Sequence, residues 1–354
     1  MDIFKSIEKS DHEQVVFYSE KVSGLRSIIA IHDTTLGPAI GGVRMLPYGS
    51  ENEALTDVLK LSRSMTYKAA AVGINLGGGQ GVIIGDSEKD KNELILRAFG
   101  RFVESLNGRY ITAEDVGTTV EDMEMVRYET KYVCGLSAAL GGSGDPGPIT
   151  ALGLKAGLLA CVQEILGKYS LKGVSIVIQG LGHVGMFLAE MLSAEKCKLY
   201  VSDIIPEKAE IAKHRFGAQV VEPEKVYDLE ADVFSPNALG GILNDKTIPR
   251  LKVKIVAGAA NNQLDKEKHG EILHKKKLFY APDFVIGAGG MINVANELEG
   301  FSQDRAEKKA EGIYDLMKRV IEISKKEDLP TSEAANLMAE ARISQVKRLK
   351  QREC

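Results

Sequence analysis

Residues 65–86 read MTYKAAAVGINLGGGQGVIIGD: one lysine, Lys68, then the glycine run Gly77-Gly78-Gly79, then Gln80 where the local chemistry calls for a second cation. An apolar helix closed by a lysine and followed by glycines predicts a loop that lets backbone approach a bound ligand closely. An ordinary helix-to-strand turn accounts for the same glycines, because such clusters mark turns more often than sites. This stretch alone does not choose.

A second constellation is more specific. Gly180-Leu181-Gly182-His183-Val184-Gly185 directly follows the apolar strand VSIVIQ and opens the helical run HVGMFLAEMLSAEK. In that setting the first glycine makes the turn, the second admits a pyrophosphate and the third lets helix and strand pack closely. The helix N-terminus then offers free N–H donors to phosphate. His183 and Val184 are counted with the turn, although the His183 imidazole reads as a bystander. Asp203 ends the next strand, roughly 20 residues on, where a carboxylate accepts from ribose hydroxyls and repels a 2′-phosphate. The following Ile204-Ile205-Pro206 offers no arginine, so the reading is NAD rather than NADP. Asp115 in ITAEDVGTT, Asn261 and Asn262 in AGAANNQ and Asn293 in GAGGMINVANE are further polar groups in glycine-rich or strand-terminal settings. Each, taken alone, also fits an ordinary cap or loop residue.

Two α/β regions must position these groups. Before Gly135, runs at 14–18, 26–32, 81–84 and 109–113 are rich in β-branched and aromatic residues and predict strands. Ser50 and Glu53 fit a capping box opening a long helix through Leu55, Val58, Leu59, Leu61 and Met65, so that Lys68 sits near its C-terminal end. Residues 138–148, AALGGSGDPGP, read as a linker before a helix starting near Thr150. Beyond it, short apolar strands at 174–179, 198–202, 219–221, 232–234 and 254–257 alternate with helical sequence, the rhythm of a doubly wound parallel sheet. Residues 332–348 form an amphipathic helix with a basic end, read as a solvated face.

At 354 residues the chain exceeds the size at which one core keeps growing, so two domains are expected. A net charge of −4, from Lys+Arg 45 against Asp+Glu 49, gives no support for a nucleic-acid or anionic-membrane partner. No leader pattern opens the chain and no uninterrupted apolar stretch reads as long enough to span a bilayer, so the expected location is cytoplasmic. Cys134, Cys161, Cys197 and Cys354 are scattered without a CxxC pair, and the six histidines show no HExxH, so neither a disulfide framework nor a metal is expected.

The stretches GPAIGGVRMLPY, SMTYKAA, NLGGGQGVIIGD, LNGRYITAEDVGTT, QGLGHVG, VAGAANNQL and YAPDFVIGAGGMINVANE closely resemble the leucine, phenylalanine, valine and tryptophan dehydrogenase family over almost the whole chain. The resemblance implies an N-terminal α/β substrate and oligomerisation domain, 1–137 completed by 331–354, and a Rossmann NAD-binding domain, 138–330. It implies a homo-oligomer, octamer or dimer, and reversible oxidation of a hydrophobic L-2-amino acid to a 2-oxo acid and ammonia. By resemblance Lys68 binds the substrate carboxylate, a point-charge role suited to an ammonium. Gly41 and Gly42 give close backbone contacts, Asp115 holds the amino group and moves protons, and Asn261 helps position substrate. Thr150 meets the nicotinamide amide, with Asn262 and Ala238 also on the cofactor. The matching lining positions Ile40, Met65, Ala113, Cys134, Met291 and Val294 are apolar or nearly so, which favours branched aliphatic substrates, with aromatic ones as the alternative, and disfavours glutamate.

Gln80 departs from this pattern. Family members carry a lysine there whose neutral amine deprotonates water. Glutamine holds no titratable proton near neutrality, so the base contribution of ~10² to 10⁴-fold is lost while hydrogen bonding survives. Gly287 stands where asparagine is usual in NAGG, and Asn237 replaces a common cysteine. Three readings stay open: an amino-acid dehydrogenase slowed at its base, a divergent NAD-dependent enzyme acting on a related oxo or imino acid, and a non-catalytic NAD-binding subunit.

Overall fold

The computed structural model describes residues 3–9 and 11–351; Cys354 lies outside the described residues. The chain divides into two compact units, Met1–Asp145 with Val294–Ser302 and Ala339–Cys354, and Pro146–Asn293 with Gln303–Met338. The first boundary thus falls inside the linker, after Asp145 rather than at 138, and a short return segment joins the first unit. The Glu297 carboxylate gives a physical reason: it accepts from the backbone N–H of Gly135 (3.1 Å), Leu136 (3.5 Å) and Ser143 (2.9 Å), tying the linker to that unit.

The first unit is built on a five-stranded sheet of β1 (Gln14–Glu20), β2 (Leu25–Asp33), β3 (Ala39–Leu46), β4 (Gly77–Ile84) and β5 (Tyr110–Glu114), in the order β1-β2-β4-β3-β5. β2 runs antiparallel to β1 and β4, whereas β3 is parallel to both β4 and β5. Successive residues of β2 enter opposite cores. Ile29 and Ile31 pack with Phe99, Phe102 and Tyr110, while Ile28 and Ala30 pack with Leu55, Val58 and Leu59 of the helix Glu51–Ala71. Burial on both faces explains the unbroken apolar run in the sequence. At the start of that helix the predicted capping box is half formed. Ser50 accepts from Glu53 N–H, but the Glu53 carboxylate takes the N–H of Gly49.

The loop predicted at 77–79 is absent; these glycines begin strand β4. A Cβ on Gly77 would lie 2.1 Å from the Asp33 carbonyl oxygen, on Gly78 2.1 Å from the Thr66 nitrogen, and on Gly79 2.7 Å from the Tyr110 ring. The run is glycine because neighbouring elements press against an inner strand, not because the chain turns.

The second unit holds a six-stranded sheet of β6 (Ser175–Gln179), β7 (Lys198–Ser202), β8 (Gln219–Val220), β9 (Val233–Pro236), β10 (Ile255–Val256) and β11 (Phe279–Tyr280). Its order is β11-β10-β9-β6-β7-β8 and every pair is parallel, the doubly wound arrangement with a switch point between β6 and β9. The helix Gly147–Leu166 is long and apolar enough to cross a membrane by length and composition alone, with Lys155, Gln163 and Glu164 interrupting its apolar run. In the fold 56% of its most apolar window is buried, and Gly153 and Gly157 lie against Ile313 and Ile286 of the same unit, so it is a core helix.

Candidate active site

Strands β3, β4 and β5 bring Gly41, Gly42, Gln80 and Asp115 together. Gln80 is 2% exposed on β4 and donates through Nε2 to Oδ2 of Asp115 at 2.8 Å. Asp115 follows β5, with Oδ1 taking the Val116 N–H at 2.8 Å and its own N–H donating to Thr118 Oγ1. A Cβ on Gly41 would sit 1.7 Å from the Gly79 carbonyl oxygen and 3.2 Å from the Gln80 Oε1. One on Gly42 would sit 2.6 Å from the Asp115 Cβ. These two glycines therefore make room for the Gln80–Asp115 pair itself. The buried Tyr110 hydroxyl lies 2.9 and 2.8 Å from the carbonyl oxygens of Gly41 and Gly42 and ties β5 to β3.

A third partner of Asp115 escaped the sequence reading. Arg44 donates through Nε to the same Oδ2 at 2.9 Å and reaches Asp57 Oδ2 at 3.4 Å, while the Tyr48 hydroxyl donates to that Asp57 oxygen at 2.7 Å. Burial works against the Arg44 charge, yet Asp115 and Asp57 outweigh it and raise its pKa. Burial, then the Asp57 bond, pushes the Tyr48 phenol well up, so it stays a donor. A signal was available: Arg44 is two residues past Gly42 on a strand, hence on the same face.

Of the predicted lining residues Ile40, Ala113 and Cys134 are buried in the first unit. Cys134 donates through Sγ to the Thr112 carbonyl at 3.4 Å, and burial raises its thiol pKa well above the ordinary value. Met65 and Lys68, three apart near the end of the helix Glu51–Ala71, share a face and are half-buried. Val294 falls in this first unit; Met291 and Asn261 fall in the second.

In the second unit the glycine turn has the predicted form. Gly180 takes φ +91°, and a Cβ there would meet the Ala238 Cβ at 2.8 Å; one on Gly185 would strike the Gly180 carbonyl oxygen at 2.0 Å. Gly182 has nothing within 4 Å of such a Cβ and caps the helix His183–Ala194 without a side-chain bond. Asp203 accepts the Leu181 N–H on Oδ2 at 2.6 Å and the Ile205 N–H on Oδ1 at 2.8 Å, fastening the end of β7 beneath the turn. A glycine turn leading into a helix N-terminus, beside a carboxylate at the next strand end, fits a dinucleotide. Val184 is half-buried and His183 exposed at the head of the helix. Asn262, at φ +53°, accepts from Gly241 N–H at 2.8 Å, and a Cβ on Gly240 would lie 2.6 Å from the Asn261 carbonyl oxygen, so both asparagines border the loop of Ala238. Thr150 backs onto Gly289, whose Cβ would lie 2.4 Å from the Thr150 Cα. Asn237 donates to the Ser235 carbonyl and hydroxyl oxygens and accepts from Ala259 N–H, a firm cross-link between the end of β9 and the 258–263 loop. Among the described residues no group of three or more His, Cys, Asp or Glu side chains is placed to hold a metal ion.

Residues 12–132 match the family model for the Glu/Leu/Phe/Val dehydrogenase dimerisation domain, and residues 200–351 match the glutamate/leucine/phenylalanine/valine dehydrogenase model. The chain is 56% identical over 348 residues to a leucine dehydrogenase of Thermoactinomyces intermedius, covering 98% of this chain and 95% of that protein. It is 48% identical over 345 residues to a phenylalanine dehydrogenase of Caldalkalibacillus thermarum, covering 96% and 93%. The crystal structure of L-tryptophan dehydrogenase from Nostoc punctiforme superposes with a TM-score of 0.87 at 48% identity, covering 98% of this chain and 99% of that one.

Proposed function

The chain belongs to the Glu/Leu/Phe/Val dehydrogenase family and is an amino-acid dehydrogenase, and from that premise we propose that it oxidises a branched aliphatic L-2-amino acid with NAD, slowly, because Gln80 stands at the base position. NAD, when bound, accepts the hydride from the substrate α carbon. The rest is the work of this chain's side chains. Lys68 holds the substrate carboxylate as an ammonium point charge. Asp115 accepts from the substrate amino group and takes its proton. Gln80 donates a hydrogen bond and orients, but no proton leaves it. Water attack on the imine, which completes the 2-oxo acid and ammonia, therefore proceeds with one acid-base group instead of two.

The hydrogen bond from Gln80 to Asp115 carries this reading: it supports a glutamine built into the site as an orienting group. Ile40, Ala113 and Cys134 support a hydrophobic substrate side chain, since a buried glutamate carboxylate would need another cation. Asp203 supports NAD over NADP. The match of 12–132 to a dimerisation domain supports a homo-oligomer.

The test is reductive amination of aliphatic and aromatic 2-oxo acids with ammonia, using NADH and NADPH in parallel. The expected result is measurable turnover, highest with branched aliphatic oxo acids and NADH. Preference for an aromatic oxo acid would replace the substrate assignment. Oxo-acid reduction without ammonia would replace the reaction.

A further inference from the structure

The C-terminal helix Thr331–Lys350 contributes residues from 339 onward to the first unit, and two of its side chains grip the end of the helix that carries Lys68. Arg342 donates through Nη1 to the carbonyl oxygens of Ala69 (3.3 Å), Ala70 (3.2 Å) and Ile74 (2.8 Å), and through Nη2 to Asn75 Oδ1 (2.6 Å). Glu340 accepts from the Tyr67 hydroxyl at 2.8 Å, and the Arg63 guanidinium lies over the Tyr67 ring. The Ala69 and Ala70 carbonyls also accept the N–H groups of Ile74 (3.0 Å) and Gly73 (3.3 Å), so the guanidinium is a second donor to each, and its charge complements the negative end of the helix. The guanidinium donates to carbonyl oxygens and an amide oxygen rather than to a carboxylate, and burial lowers its pKa.

We propose that Arg342 is a positioning residue for substrate: by fixing residues 69–75 from the C-terminal helix it sets where the Lys68 ammonium stands. The proposal rests on the reading of Lys68 as the carboxylate anchor. Tyr67 and Ala69 flank Lys68 and are both held from the same helix, so the backbone on either side of the anchor depends on a segment 273 residues away along the chain.

The experiment measures, by calorimetry on the full chain, the affinity of 4-methyl-2-oxopentanoate for the NADH-saturated protein, and separately the affinity for NADH. Displacing an anchor by about an ångström weakens binding or turnover by up to about 100-fold, so Arg342→Met is expected to weaken oxo-acid binding about 10- to 100-fold while NADH affinity holds. Arg342→Lys keeps the charge but loses the planar fork and is expected to fall between, and it serves if the methionine variant fails to fold. In a Lys68→Met background Arg342→Met is expected to add nothing. Unchanged oxo-acid affinity in both Arg342 variants, a parallel loss of NADH binding and thermal stability, or additivity with Lys68→Met would overturn the proposal while leaving the anchor reading intact. Unchanged affinity in Lys68→Met alone would remove the anchor reading, and the proposal with it.

Discussion

Gln80 and Arg44 donate to the same oxygen, Oδ2 of Asp115, at 2.8 and 2.9 Å, from adjacent strands of one sheet. Asp115 is thereby held between a permanent cation and an amide that neither gains nor gives a proton near neutrality. The position across from Asp115 is thus occupied and hydrogen-bonded, yet it offers no second site for a proton.

Gln80→Lys should restore that site. A lysine there would share Asp115 with Arg44; burial and the neighbouring guanidinium would favour its neutral amine, the form that takes a proton from water, against the opposing pull of the Asp115 carboxylate. Reductive amination of a branched 2-oxo acid is expected to rise ~10² to 10⁴-fold in kcat, followed as NADH consumption. A variant that binds NADH normally but turns over no faster would show that Gln80 does not limit the reaction.

The second unit was the more legible one because its signals are local. A strand, a glycine turn and a helix lie within a few residues of each other, and of the three two-residue strands, β8, β10 and β11, only β11 lacks an apolar run that the sequence reading marks. In the first unit the glycines of 41–42 and 77–79 interrupt the apolar pattern. The sequence pattern therefore carries no strand signal for β3 and reads as a loop at the start of β4. What filled those interruptions, Tyr110, Thr66 and Asp115, comes from elsewhere in the chain. Arg44 and Asp115 are 71 residues apart and Arg342 is still farther from Ala69, so neither pairing leaves any trace in spacing.

Asp203 should govern cofactor choice. Its carboxylate accepts two backbone N–H groups at the turn and is half-buried, so Asp203→Asn removes charge while keeping shape. Hydrogen bonds to charged groups contribute ~1.5–3 kcal/mol, so NADH affinity is expected to fall about 10- to 100-fold, with NADPH affected far less. Titrations of both nucleotides read the ratio; an unchanged NADH-to-NADPH preference would remove Asp203 from the ribose site.

The buried cysteines should be chemically quiet. Burial raises the Cys134 thiol well above its ordinary value and pushes Cys197 up to about 12. The thiolate is the reactive form, and a raised pKa means it is scarce below that value, so alkylation near neutral pH is expected to be slow and to quicken as pH rises. Site-resolved mass spectrometry after iodoacetamide treatment should find Cys134 and Cys161 unmodified in the native protein and modified after denaturation. Rapid native labelling of Cys134 would mean that the wall beside Ala113 opens.

Two glycines in similar-looking runs should fail in opposite ways. On β4, an alanine Cβ at Gly78 would fall 2.1 Å from the Thr66 nitrogen and 2.4 Å from the Ser62 carbonyl oxygen, so strand and helix would have to separate. Overpacking of this kind costs ~1–3 kcal/mol, and Gly78→Ala is expected to lower the melting temperature. In the cofactor turn, Gly182 has φ −72° and an alanine Cβ meets nothing within 4 Å, so Gly182→Ala should melt like the parent. On the proposed cofactor reading a pyrophosphate would approach through that same open space, so NADH binding is expected to weaken with the fold untouched. Calorimetric melting and NADH titration on both variants separate the two roles. If Gly78→Ala were thermally silent, the glycine run would not be explained by packing, and if Gly182→Ala bound NADH as tightly as the parent, the pyrophosphate would lie elsewhere.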